Sequence, residues 1–272
     1  MARIFLALLV FTGVVAGTGF EAHADEIHLV MPTRVVIPPG QNTATMTLMN
    51  RGEEKRTYDI SMTNVVMQED APSKQVDTFP YSAKRMLRYV PRRAELAPGE
   101  MQTVRLMVRR PPDLEDGDYH THILFTEVLE KRDAKKSKDE AEKKVEGDGF
   151  RVNVETKYAV ATPVVLQHGE VTGKLRIEGV DKDATTDEKL KVKLSREGNS
   201  EGHGVVQVYR KTQGGLEKIA HDYKPRLYRE IKTRTGAINM FEGEKPEGEL
   251  LLRLRESSSK NARILQEMDV SL

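Results

Sequence analysis

The chain has 272 residues, enough for one large domain or two ordinary ones. Its 43 Lys and Arg residues nearly balance 42 Asp and Glu residues, which argues against a nucleic-acid-binding protein with its usual basic excess. The absence of Cys excludes disulfides, thiolate metal sites and a cysteine nucleophile. The absence of Trp and an aromatic content of only 6% make a stacking surface for sugars or bases improbable.

The first 24 residues have the features of a secretory signal peptide. Arg3 supplies a positive charge, residues 4–15 are almost wholly apolar, and Ala22-His23-Ala24 offers small residues at the two positions that a signal peptidase reads. The apolar run is shorter than the roughly 20 residues that a bilayer-spanning helix needs. The sequence therefore predicts export, cleavage after Ala24 and no stable membrane insertion.

Alternation of polar and apolar residues with a period of two dominates the rest of the chain. It predicts strands at residues 43–49, 57–62, 102–108, 150–154, 189–194, 204–209, 249–254 and 263–270. Turn sequences such as Pro38-Pro39-Gly40 and Pro98-Gly99 separate them. Short strands with little helix between them predict an all-β fold of antiparallel sandwiches.

Gln167-His168-Gly169 is interpreted as a hinge between two β-domains. The boundaries that follow are a signal peptide at 1–24, an N-terminal domain at 25–166 and a C-terminal domain at 170–272. Both domains have sizes that are ordinary for β-sandwiches.

Residues 130–149 break the strand pattern because they are highly charged and almost without apolar side chains. Such a segment buries too little surface to offset its ordering entropy, so it is predicted to be a loop. Two interpretations stay open: a solvated insertion between strands, or a loop that becomes ordered when a partner binds.

The segment that follows this loop alternates strictly. Phe150, Val152 and Val154 fall on one face of the predicted strand, and polar residues fall on the other. A strand entered through a charged loop is a candidate sheet edge, where apolar side chains favour pairing with another chain. The alternative is an ordinary strand that faces its own core.

The sequence contains no convincing catalytic or metal site. His120 and His122 share a strand face at a spacing that can hold a metal ion, but no third ligand is evident and a surface pair is the expected alternative. The acidic residues around Gly117 fit a turn better than a calcium loop. No Ser-His-Asp order or phosphate loop is found. The sequence thus predicts a non-enzymatic protein with no metal and no cofactor.

A series of short motifs along the chain is similar in order and spacing to a known family. They are Thr33-Arg34-Val35-Val36-Ile37 with the Gly40-Gln41-Asn42 turn, Tyr89-Val90-Pro91-Arg92-Arg93, Leu96-Ala97-Pro98-Gly99-Glu100, Gln102-Thr103-Val104-Arg105-Leu106, Arg196-Glu197-Gly198-Asn199, Gly204 and Tyr228-Arg229. They resemble the periplasmic pilus-assembly chaperones of the PapD-like superfamily, in its less typical branch.

The resemblance implies two immunoglobulin-like β-sandwich domains set at an angle with a cleft between them. It also implies a periplasmic chaperone that caps pilus or fimbrial subunits by donor-strand complementation and delivers them to an outer-membrane usher. The donor strand would insert Phe150, Val152 and Val154 into the groove of a subunit that lacks its last strand.

The resemblance further implies two cationic anchors for the C-terminal carboxylate of the subunit. Arg34 matches the arginine of the family motif, and Lys157 is the nearest candidate for the lysine, although a shift of two residues would place Ala159 there. A guanidinium can hold a carboxylate through two parallel hydrogen bonds. The alternative for Arg34 is an ordinary strand arginine paired with an acid.

A fold does not fix a function, so a second function stays open. The chain could be an exported, non-enzymatic adhesion or envelope module with two β-sandwich domains and no chaperone role. The two functions differ in whether Arg34 and Lys157 lie in one cleft beside an open edge at residues 150–154.

The signal peptide interpretation predicts a mature N-terminus at Asp25. Intact-mass analysis or Edman sequencing of the exported protein should find Asp25 first, because the small residues Ala22 and Ala24 satisfy signal peptidase. Exported protein that retains Arg3 would contradict this prediction.

Overall fold

The computed structural model describes residues 28–128, 158–186 and 188–272. Within these ranges the chain forms strands and turns, and none of their segments is a helix long and apolar enough to cross a membrane. The predicted all-β fold is confirmed.

Ten strands build the first sandwich. They are β1 (His28–Met31), β2 (Val35–Ile37), β3 (Thr43–Asn50), β4 (Arg56–Val66), β5 (Lys74–Val76), β6 (Leu87–Val90), β7 (Arg93–Leu96), β8 (Met101–Val108), β9 (Gly117–Val128) and β10 (Ala159–His168). One sheet has the order β1-β3-β8-β6, and the other has the order β2-β10-β9-β4-β5, with β7 also paired to β4. All pairs are antiparallel except β2 with β10.

Nine strands build the second sandwich. They are β11 (Gly173–Lys182), β12 (Lys189–Gly198), β13 (Gly202–His203), β14 (Val205–Thr212), β15 (Gly215–Lys218), β16 (Arg226–Leu227), β17 (Thr233–Asn239), β18 (Glu249–Arg255) and β19 (Ile264–Ser271). They form a sheet β11-β12-β17, a sheet β15-β14-β18-β19 and a short pair β13-β16. Every pair is antiparallel.

Each sandwich has its own apolar core, built by side chains from alternate strand positions. In β3 the alternation buries Met46 and Leu48, and in β8 it buries Val104 and Leu106. The second core collects the corresponding side chains of β12, β14 and β18. The predicted strands at 43–49, 57–62, 102–108, 189–194, 204–209, 249–254 and 263–270 coincide with strands of the structure, whereas 150–154 lies outside the described residues.

Asn50 fixes one end of the first sandwich. Its side chain is fully buried, and its amide nitrogen donates to the carbonyls of Glu54 (2.8 Å) and Leu96 (3.0 Å). The amide oxygen accepts from the backbone nitrogen of Gly52 at 3.0 Å. One side chain therefore satisfies three backbone groups and ties the turn after β3 to β7.

Replacing Asn50 with Ala should lower the free energy of unfolding by about 2–4 kcal/mol, because three hydrogen bonds are lost and buried backbone groups lose their partner. Urea denaturation measures the change. Asn239→Ala, at an exposed position of β17, is the matched control and should change stability by less than about 0.5 kcal/mol. Equal effects of the two substitutions would contradict the role of Asn50.

Candidate functional site

Arg34 links the two sandwiches. It directly precedes β2, where Val35 is buried in the first core and pairs with Val164 of β10, so strand alternation directs Arg34 away from that core. The guanidinium reaches the second sandwich instead. Its Nη1 donates to the Tyr228 hydroxyl at 2.9 Å, and its Nη2 donates to Oε2 of Glu201.

Glu201 is a buried carboxylate shared by two arginines. Its side chain is 7% exposed, and Oε1 accepts from Arg226 Nη1 at 2.6 Å while Oε2 accepts from Arg34. His203 Nδ1 lies 3.7 Å from Oε1. Burying a carboxylate is costly unless charged donors compensate it, and here both oxygens have an arginine partner.

Asp118 of β9 holds the main chain around Glu201 in place. Its side chain is buried, and Oδ2 accepts from the Ser200 hydroxyl (2.5 Å) and from the Glu201 backbone nitrogen (2.9 Å). The backbone nitrogen of Asp118 donates to the carbonyl of Asn199 at 3.0 Å. The preceding Gly117 has a φ of 135°, and an added Cβ would lie 2.4 Å from the same Asn199 oxygen, so glycine permits this close approach of the sandwiches.

Arg196 organises the second-sandwich side of the contact. Its guanidinium donates to four carbonyls, those of Gly198 (2.6 Å), Ser200 (2.9 Å), Arg229 (3.1 Å) and Ile231 (3.1 Å). These carbonyls belong to two segments that are far apart in sequence. Arg196 thus holds together the loop that carries Glu201 and the segment that carries Tyr228.

His120 and Glu230 form a second buried polar pair between the sandwiches. His120 is 1% exposed, its Nε2 lies 3.1 Å from Glu230 Oε2, and the Tyr228 ring stacks on its imidazole at 4.3 Å. Burial alone would raise the pKa of Glu230, but hydrogen bonds from His120 and from the backbone nitrogen of Met67 outweigh it and hold that pKa below its usual value.

His122 lies beside this pair and is also buried. Burial, reinforced by the nearby His120 and Arg34 and opposed by Glu230, lowers the pKa of His122 to about 4. The expectation that His120 and His122 are a surface pair is therefore wrong. Both faces of β9 are covered, one by the first core and the other by the second sandwich. Within the described ranges, no three His, Asp or Glu side chains are grouped as metal ligands.

These side chains form what we call the interdomain cluster. It consists of Arg34, Asp118, His120 and His122 from the first sandwich and Ser200, Glu201, Arg226, Tyr228 and Glu230 from the second. The cluster is polar and hydrogen-bonded, and at its centre two arginines share the Glu201 carboxylate.

A strand edge lies next to this cluster. β10 pairs with β9 along Ala159–His168, but on its other side β2 covers only residues 164–166. Residues 159–163 therefore have no neighbouring strand on that side within the described part of the chain. Because Val35 pairs with Val164, Arg34 stands where the uncovered edge begins.

The sequence-predicted site residues are only partly described. Arg34 is found in the interdomain cluster, and Ala159, the alternative position for the second anchor, is exposed at the start of β10. Lys157, the donor residues Phe150, Val152 and Val154, the charged segment 130–149 and the signal peptide 1–24 lie outside the described residues. The anchor and donor-strand assignments stay predictions.

Sequence reasoning did not identify Asp118, Glu201, Arg226 or Glu230 as partners of the site. A signal was present, because Ser200 and Glu201 directly follow the Arg196-Glu197-Gly198-Asn199 motif, and Glu230 directly follows Tyr228-Arg229. These motifs build the second-sandwich side of the interdomain cluster.

No protein-family model matches the chain, and no curated protein matches it. Solved structures do. The chain is similar to a class 5 fimbriae chaperone, CfaA, with 14% identity over 90% of this chain and 99% of that chain and a TM-score of 0.47. It is also similar to a structure of the CsuC-CsuE chaperone-tip adhesion subunit complex of Acinetobacter baumannii, with 10% identity, coverages of 90% and 98% and a TM-score of 0.49.

A third similar structure contains the SafA pilin with the SafB chaperone of Salmonella enterica. The identity is 13%, the match covers 90% of this chain and 96% of that chain, and the TM-score is 0.43. Each of these three structures contains a fimbrial or pilus chaperone. At identities of 10–14% and TM-scores below 0.5, these similarities assign no function to this chain.

The buried His122 predicts a loss of stability in mild acid. Its pKa in the folded protein lies below that of the unfolded chain, about 6.5, so the unfolded chain takes up the proton first. The contribution of His122 to the free energy of unfolding is present above pH 6.5 and is lost as the pH falls towards 4. By pH 5 the loss should be about 2 kcal/mol.

Urea denaturation of the parent and of His122→Gln at pH 7 and pH 5 measures this contribution. The substitution should remove about 2 kcal/mol of the pH dependence, while the control His168→Gln should keep the parental dependence. Identical pH profiles of the parent and His122→Gln would contradict the assignment.

Proposed function

We propose that this protein is a periplasmic chaperone that caps pilus or fimbrial subunits by donor-strand complementation and passes them to an outer-membrane usher. The observation that carries the proposal is the uncovered edge of β10 at residues 159–163, which lies directly downstream of the alternating sequence at 150–154. The role is one of binding and needs no catalytic group.

An uncovered edge presents backbone N–H and C=O groups that can pair with another chain. β10 offers such groups next to β9, which holds it firmly through a long antiparallel ladder. A subunit that lacks one strand exposes the complementary edge together with an apolar groove. Pairing of the two edges would satisfy the backbone of both proteins.

The residues before β10 supply side chains of the right kind for that groove. In β10, Val160 packs against the first core and Val164 is buried in it, so even-numbered positions face the core side. Phe150, Val152 and Val154 have the same parity, and in a continued strand they would extend this apolar face beyond the core. We propose that they fill the groove of the subunit.

Arg34 is the proposed anchor for the subunit's C-terminal carboxylate. It stands at the end of the uncovered edge, where a strand pairing with β10 meets β2. Its guanidinium is held in the interdomain cluster, which keeps it partly dehydrated and strengthens its hydrogen bonds to an anion. Our proposal is that the carboxylate terminus of the subunit binds there.

Lys157 is kept as the proposed second anchor of the subunit's C-terminal carboxylate. The described chain resumes at Tyr158, five positions before Pro163 and about 17 Å from it along an extended strand, so Lys157 would approach the carboxylate from the far end of the uncovered edge. The cation that shares a carboxylate with Arg34 in the described chain is Arg226.

The internal pairing of Arg34 with Glu201 also fits the second function, an exported envelope module without a chaperone role, since such a module would use Arg34 only to join its domains. The decisive difference is whether residues 150–154 serve a partner or the protein's own core.

Val152→Glu separates these functions. If Val152 enters a subunit, the substitution buries an unpaired charge in the complex at a cost of several kcal/mol, and retention of the subunit should fall on the order of a thousandfold. The free protein should keep its parental melting temperature, because without a subunit the side chain meets water.

Asn153→Glu, on the opposite face, is the matched control and should retain bound subunit. The measurements are thermal melting of each purified variant, followed by mass spectrometry of the polypeptides that co-purify from the periplasm of the native host. A collapsed melt of Val152→Glu would show that residues 150–154 are core, and unchanged retention would contradict strand donation.

A further inference from the structure

Arg34 uses only one of the two hydrogen-bond donors with which a guanidinium can bind a carboxylate side-on. A carboxylate that binds a guanidinium side-on contacts Nε and one Nη together. In Arg34, Nη2 donates to Glu201, but Nε is buried without a hydrogen-bond partner. The arrangement leaves one strong donor unsatisfied in a buried position, which is unfavourable.

Glu201 cannot satisfy that second donor while it binds Arg226. Its Oε2 accepts a hydrogen bond from Arg34 Nη2, and its Oε1 accepts one from Arg226 Nη1 at 2.6 Å. The carboxylate therefore bridges two arginines with one oxygen each. An incoming carboxylate with both oxygens free could bind Arg34 through two parallel hydrogen bonds.

Displacement of Glu201 from Arg34 needs only a side-chain movement. The Glu201 backbone nitrogen is held by Asp118, and the neighbouring Gly202 packs tightly, because an added Cβ there would lie 2.8 Å from Arg196 Cγ. Arg226 is 45% exposed and can keep its hydrogen bond to Glu201 after Arg34 is released. The displaced carboxylate thus retains a charged partner.

We propose that Glu201 is an internal stand-in ligand: it occupies the carboxylate site of Arg34 in the free protein, and the C-terminal carboxylate of a partner binds by displacing it. The inference rests on the proposed role of Arg34 as an anchor and adds the residue that sets the affinity of that anchor. Glu201 lowers this affinity, and Arg226 moderates the effect by holding one of its oxygens.

N-acetylvaline, a minimal C-terminal carboxylate, and N-acetylvalinamide, its uncharged counterpart, are suitable probes. Binding is followed by NMR titration of the Arg34 side-chain Nε–H signal, which is assigned by its absence in Arg34→Met. Glu201→Gln should bind N-acetylvaline at least tenfold more tightly than the parent, because a neutral amide competes weakly for Arg34. The amide probe should bind to neither protein.

Arg226→Gln should act in the opposite direction. Without Arg226, both oxygens of Glu201 are free to bind Arg34, so the affinity for N-acetylvaline should fall below that of the parent. Glu201→Asp, whose side chain is shorter by one methylene, serves as a second variant that releases Arg34 if Glu201→Gln does not fold. Thermal melting verifies that each variant is folded.

Equal affinities of the parent and the folded Glu201 variants overturn the inference, as does equal binding of the amide probe. Absence of N-acetylvaline binding in every variant overturns it as well. These outcomes are separate from the strand-donation test, because no subunit takes part in the titration. Loss of subunit retention in Val152→Glu together with any of them would leave the chaperone proposal in place without Glu201 as a stand-in ligand.

Discussion

The charged contact of Arg34 with Glu201 joins the two sandwiches, and the hydrogen bonds of Asp118 to Ser200 and to the Glu201 backbone hold the same surfaces together. The chain passes between them through a short segment at Gly169, and the surfaces that meet there are largely polar, although Met67 also packs against the second core. Apolar contacts tolerate sliding, but a buried ion pair is stable only with good geometry and full hydrogen bonding. The interdomain cluster therefore constrains the orientation of the sandwiches, because Arg34 and His120 of the first sandwich have their acidic partners on the second.

This constraint also places the uncovered edge of β10. Arg34 directly precedes β2, the strand that covers residues 164–166 of β10, so the end of that coverage lies next to the contact between the two sandwiches. A partner that pairs with residues 159–163 would reach the interdomain cluster at its end. Strand pairing at residues 159–163 and binding of a carboxylate at Arg34 would thus take place at adjacent positions of the fold.

The sequence predicted the elements that follow a local rule and failed for those that depend on distant contacts. Strands β3 and β8 alternate because one face meets the core and the other meets water. In β9 residues 117–123 are buried on both faces, so alternation is absent, and His120 and His122 were assigned to the surface. The pairing of Arg34 with Glu201 joins residues 167 positions apart, which no local pattern can indicate.

Because the contact between the sandwiches at Arg34 is polar, one carboxylate could replace another there without exposing apolar surface. Separating apolar surfaces exposes them to water and costs free energy in proportion to their area. Replacing one carboxylate by another at Arg34 keeps the number of charges and hydrogen bonds nearly constant, so the difference between the two states can be small. Because the Nε of Arg34 lacks a partner in the free protein, the balance favours a carboxylate that can use both donors. The polar contact that holds the sandwiches together is therefore also the one that a charged chain end could enter at low cost.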